Sequence, residues 1–224
     1  DATRAILEGQ PGFFRPRLAP FAVLLADGPA AASFYDTAPL RATLLEYADF
    51  ERINTGPMRV SVGAVNVGTG NFVYFDNRHM RLGPEHFMAS GALPPGFPAV
   101  EIDGEFYWDG GLVSNTPLAA ILDEEPRPDA LVFQVDLWSA GGTPPRSVAE
   151  VATRQKDIQY SSRTRLITDV QQREQKLRRL LLDLVKLLPE SEHDHPARRL
   201  AVKLACSRRV NVQHLIYRDK PCES

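Results

Sequence analysis

The stretch Tyr107 to Leu118, YWDGGLVSNTPL, holds the residues best suited to chemistry. Asp109 is followed by Gly110 and Gly111, and an Asn115-Thr116-Pro117 run then opens an apolar segment. Asp-Gly is also a common turn dipeptide, so a plain capping or turn role stands beside a working carboxylate. Two glycines leave the carboxylate uncrowded, and a following helix N-terminus favours its ionised form. An ionised carboxylate beside a hydroxyl can serve as its general base. The hydroxyl is harder to find. No Gly-x-Ser-x-Gly elbow occurs anywhere in the chain. Ser61 falls inside a predicted strand, and Ser90 stands four residues after His86 on a short predicted helix, where the two can touch. Neither serine has the leading glycine of an elbow, so a Ser90–His86 pair is disfavoured. Glu192-His193-Asp194-His195 does not match a helical His pair or a Cys/His finger, and solvated loop residues are the expectation there. No metal and no cofactor is expected.

The elements that must position Asp109 alternate in type. Residues 1–9 read as a short helix end, with Asp1 as a cap and Gly9 as its stop, and residues 10–33, with Pro11, Pro16, Pro20 and Pro29 among phenylalanines and leucines, form a packed irregular segment or a flap. A helix is predicted over 36–48, with Asp36 or Thr37 as its cap and Pro39 in its first turn. Residues 59–67 and 71–76 read as a hairpin joined through Gly68-Thr69-Gly70. A short helix starts at Gly83-Pro84, and 99–108 form a second hairpin with its turn at Asp103-Gly104. Asp109 thus stands at a strand exit, where α/β domains place their sites. A helix capped by Asn115 or Thr116 follows. ALVFQVDLW (130–138) reads as a strand buried on both faces.

From Arg146 to Leu188 neither Gly nor Pro occurs, and Val148, Val151, Ile158, Leu166, Val170, Leu177, Leu181, Leu184 and Leu188 recur at helical spacing. One very long helix, or two in series, is predicted. Its part QQREQKLRRLLLDLVKLL is amphipathic with a basic side; packing on its own domain is expected, with docking on a partner or an anionic membrane as the alternative. A helix over ARRLAVKLACS and a strand over VNVQHLIYR close the chain. The alternation argues for an α/β layered domain with a helical insertion before the last strand.

Composition removes several classes. The 224 residues include 43% hydrophobic ones, enough for a real core, and 26 Lys and Arg against 28 Asp and Glu. That balance gives no bulk field for nucleic acid. Cys206 and Cys222 do not make a disulfide framework, so a reducing compartment, the cytoplasm, is expected, with peripheral membrane contact as a further option. No apolar run approaches the ~20 residues that span a bilayer.

The stretch MASGALPPGFPAVEIDGEFYWDGGLVSNTPL closely resembles the second catalytic block of the patatin-like phospholipases. Ala89, Ser90, Ala92, Pro94, Phe97, Pro98, Asp109, Gly110, Gly111, Asn115 and Pro117 carry the likeness in order. The preceding strand pair with TGNFVYFD is similar too, and residues 145–218 resemble a helical C-terminal region found on a bacterial branch of that family. The resemblance implies a patatin-like layered α/β sandwich, a mixed sheet with flanking helices and a long helical C-terminal appendage. Residues 1–140 would belong to the catalytic domain and 141–224 to the appendage. It further implies a serine acyl hydrolase acting on a lipid or other acyl ester through a Ser–Asp dyad without a catalytic His. Asp109 would be the base, Gly110, Gly111 and Asn115 would support its loop, and Ser90 matches a position that is not the nucleophile. The family's serine and oxyanion loop match nothing here. A fragment of a longer hydrolase, inactive by itself, is therefore expected. The alternative is a non-catalytic lipid- or protein-binding module using the basic helix. Homo-oligomerisation is a further option.

Overall fold

The computed structural model describes residues 2–17, 28–114, 118–122, 130–136, 138, 141–189, 195–205 and 210–216. The chain divides into two compact units, Asp1–Ser114 and Asn115–Ser224.

The first unit is built on a four-stranded antiparallel sheet. Its strands are β3 (Ser61–Asn66), β4 (Phe72–Asp76), β5 (Val100–Ile102) and β6 (Glu105–Asp109), in the order β4-β3-β6-β5. Both expected hairpins are present. In the β3–β4 link the Asn66 side chain accepts from the N–H groups of Gly68 and Thr69, at 3.0 and 2.9 Å, and so holds the turn. In the β5–β6 turn Asp103 and Gly104 both take positive φ, 53° and 81°. That pair of conformations suits the right-handed twist of the flanking strands, and Asp-Gly adopts it readily. Across the base of the first hairpin, Arg59 lies 2.5 Å from the buried Asp76 carboxylate. Burial pushes Asp76 up, but the Arg78 N–H and the Arg59 guanidinium outweigh it and hold the carboxyl below its ordinary range.

Helix α4 (Pro84–Ser90) packs across β3, β5 and β6. It buries Ala89 against Ala64, Phe75, Leu82, Ile102 and Tyr107, the core of this unit. Before the sheet, α1 (Ala2–Glu8) ends at Gly9, whose φ of 84° breaks the helix. The two-residue strands β1 (Arg15–Pro16) and β2 (Tyr35–Asp36) pair antiparallel. Helices α2 (Ala38–Tyr47) and α3 (Phe50–Thr55) follow. Where it is described, the proline-rich segment is packed as expected: Phe13, Phe14, Tyr35 and Phe97 form one aromatic cluster, with centroids 4.8 to 6.1 Å apart in its closest pairs. Residues 18–27 of that segment lie outside the described residues.

In the second unit, α5 (Ala119–Leu122) precedes β7 (Ala130–Asp136), which pairs parallel with β8 (Val210–Ile216). Between them run α6 (Val148–Lys186) and α7 (Pro196–Ala205). The long Gly- and Pro-free stretch is one helix of 39 residues. Ser147 caps it, accepting from the Glu150 N–H, and Glu150 reaches back to the Arg146 N–H.

Two expectations change here. The β7 strand is not buried on both faces: Val132 and Gln134 are buried, while Leu131, Phe133 and Val135 are more than half exposed, at 59%, 62% and 53%. The reason is the side-chain period of two: with helix covering one face, every second residue is left on the other. On the covered face Thr168 of α6 donates to Gln134, and Trp138 stacks on Tyr160 of α6. The apolar stripe of α6 is likewise not its packed face. Tyr160, Ser161 and Val185 are buried, whereas the apolar residues from Val148 to Leu188 named by periodicity are exposed at all but Leu181.

Candidate functional site

Asp109 is the last residue of β6, paired with the fully buried Ala64 of β3. Its N–H donates to the Ala92 carbonyl at 3.0 Å, which ties the strand exit to the turn after α4. Its carboxylate Oδ1 accepts from the Gly111 N–H at 2.7 Å, capping a 3₁₀ turn over Gly110–Leu112. The Gly110 carbonyl then accepts from the N–H groups of Val113 and Ser114, at 3.0 and 2.9 Å. So the carboxylate does cap a turn. Only one of its oxygens is used that way, and among the described residues no other donor reaches it.

Gly110 is required by space. A Cβ there would lie 2.6 Å from the Gly63 carbonyl oxygen and 3.0 Å from the Phe72 ring. Gly63, in the adjacent strand, is covered by the same ring, and a Cβ on it would fall inside the ring's volume. Two backbones meet at a glycine–glycine crossing under Phe72, and that crossing sets where Asp109 leaves the sheet. Gly63 and Phe72 were missed as site residues. The signal was a glycine at the centre of an otherwise β-rich run, which marks a close backbone approach.

Burial raises the Asp109 carboxyl above its ordinary value, and the Gly111 N–H pulls it only partly back. The expected ionised form is therefore not favoured: the Gly111 N–H supports it but desolvation outweighs that, and the start of the helix expected to help lies outside the described residues. Asn115, with Thr116 and Pro117, lies outside the described residues, as do Glu192, His193 and Asp194.

His86 and Ser90 share α4 but do not form a couple. His86 is buried, its Nδ1 accepts from the Gly83 N–H at 2.9 Å, and its ring meets Phe75 edge-on. Its Nε2 has no hydrogen-bond partner among the described residues. Ser61 is exposed at the start of β3. Asp109 is not among the walls of the open groove formed by the Gln10–Phe13 turn with Leu40, Thr43 and Tyr47.

An antiparallel sheet with flanking helices, a parallel strand pair with helices between its strands, and a half-buried carboxylate at a strand exit define a mixed α/β protein. The sequence profile of the patatin-like phospholipases matches residues 5–122, and a second profile, described as patatin phospholipase, matches 158–224. The chain belongs to the patatin-like phospholipase family, a family of lipid acyl hydrolases. No curated protein matches the chain.

Proposed function

We propose that this chain supplies the general base of a serine acyl hydrolase that cleaves lipid or other acyl esters, and that Asp109 is that base. The observation that carries the reading is the Asp109 carboxylate: half-buried, raised in pKa, pinned through one oxygen and held on a loop that leaves the sheet at the close Gly63–Gly110 crossing. A carboxyl tuned upward by burial takes and returns a proton more easily than one at its ordinary value. No Gly-x-Ser-x-Gly stands in these 224 residues, so in this reading the serine and the oxyanion N–H donors are supplied from outside them.

The steps then follow from proton transfer at one carboxylate. Asp109 accepts the serine proton as the hydroxyl oxygen attacks the ester carbonyl. The tetrahedral oxyanion rests on backbone N–H groups. Collapse expels the alcohol, which takes the proton from Asp109, and leaves an acyl-enzyme. Asp109 next deprotonates water, which attacks the acyl carbonyl, and the proton returns to the departing serine. No histidine is needed, in keeping with His86 being turned toward Gly83 and Phe75.

A serine-directed fluorophosphonate tests the division of labour. These 224 residues alone should stay unlabelled, while a protein that carries them together with a Gly-x-Ser-x-Gly segment is labelled. Equal labelling of both would overturn the assignment of the nucleophile to residues outside these 224.

A further inference from the structure

Helix α6 carries an apolar stripe that the described residues of its own unit leave bare. Val148, Val151, Ile158, Leu166, Val170, Leu177, Leu180, Leu184 and Leu187 are between 47% and 87% exposed. At 100° per residue all nine fall within about one third of the helix circumference. The buried face, with Tyr160, Ser161 and Val185, lies opposite, and the half-buried Arg154, Asp157 and Arg178 flank it. From Leu166 onward the stripe steps by four and three residues in turn: Leu166, Val170, Arg173, Leu177, Leu180, Leu184, Leu187. That is the spacing of a two-helix seam. One position of it is charged, Arg173, and Asp169 and Lys176 stand along the same strip, all three exposed.

These charges select the occupant. On an anionic lipid surface, Asp169 would sit in the apolar strip and be repelled. In a parallel, in-register pair, each Arg173 would face the Arg173 of the other helix. In an antiparallel pair centred near residue 172, Asp169 of each copy meets Arg173 and Lys176 of the other, on both sides of the centre. The same register places Leu166 against Leu177 of the second copy, and Ile158 between its Leu184 and Leu187. We propose that α6 is a homodimerisation helix that pairs antiparallel with α6 of a second copy of this chain, in that register.

The area is sufficient. The overlap runs from about residue 157 to 187, ~45 Å of helix at 1.5 Å per residue. A strip about 12 Å wide over that length buries at least roughly 1,100 Å² on the two copies together, above the ~1,000 Å² that a specific interface needs. Nothing in the pairing depends on ester hydrolysis, so it stands or falls apart from the function proposed for Asp109.

Sedimentation equilibrium on the 224-residue chain tests it, with circular dichroism to verify that each variant stays folded. The wild type should sediment at twice its chain mass, and Leu177→Glu at the mass of one chain with its helix content unchanged. Lys176→Asp should weaken the dimer by at least about tenfold, because each introduced carboxylate meets Asp169 of the other copy. Adding Asp169→Lys to that variant should restore association to within a few-fold of wild type. A monomeric wild type, or a dimer indifferent to Leu177→Glu, overturns the proposal. Failure of the charge exchange to restore the dimer overturns the antiparallel register. Flotation with phosphatidylglycerol vesicles covers the lipid occupant: a monomeric chain that binds them through Leu177 would contradict a protein–protein role.

Discussion

At the scale of single residues, Asp109 is at once a turn cap and a carboxylate with chemistry to spare. The turn takes one oxygen, through Gly111, and desolvation acts on the whole group. Its folded-state pKa is raised, so the stability tied to this carboxyl is fully present below the unfolded value near 3.8 and is lost as pH rises through the folded one. Asn keeps the Gly111 hydrogen bond but carries no charge. Asp109→Asn should therefore be more stable than wild type at pH 7, and the gap should shrink by pH 4; urea unfolding at the two pH values measures it. Gly110 makes a second demand. Because a Cβ there meets backbone, which cannot swing aside as a side-chain tip can, Gly110→Ala should cost about 1–3 kcal/mol in the same assay. The sequence around Asp109 shows its loop plainly, since Asp, Gly and Gly after an aromatic strand leave few readings. It does not show Gly63 and Phe72. Their part depends on which strands lie side by side, and that pairing joins residues more than forty positions apart in the chain.

At the scale of elements, local chemistry marked most boundaries. Asp103-Gly104 named its own turn, Gly9 and Gly83-Pro84 bounded helices, and the absence of Gly and Pro after Pro145 marked a long helical stretch, one helix or two in series, which folds as the single α6. What periodicity left open was which face each element buries. An amphipathic pattern shows that two faces differ. It does not say that the apolar one meets the helix's own domain, and in α6 the buried face runs through Tyr160, Ser161 and Val185 instead. The β7 strand teaches the same lesson, since a continuous apolar run reads as double burial even where, among the described side chains, Val132 and Gln134 are covered and Leu131, Phe133 and Val135 are not. The N-terminal cap of α6 was legible in principle as Ser147 with Glu150 three residues on, each satisfying a backbone N–H at the helix start. Ser147→Ala should cost about 1 kcal/mol, read as a lowered unfolding midpoint of the second unit.

At the scale of the whole molecule, the chain divides into two units. Asp1–Ser114 holds the carboxylate loop on a stiff antiparallel sheet, and Asn115–Ser224 holds the parallel strand pair and the long helix with its bare stripe. Family membership makes lipid acyl hydrolysis the frame, and the base role of Asp109 is the claim within it that matters most. The direct test is ester hydrolysis by a protein that carries these residues together with a Gly-x-Ser-x-Gly segment, as wild type and as Asp109→Asn, across pH. Wild-type kcat/KM should rise with pH through an ionisation above the ordinary aspartate range. Asp109→Asn should lose about 10²–10⁴-fold, the worth of a positioned general base, while remaining folded. Full activity in Asp109→Asn, with the same acid limb, would contradict the account.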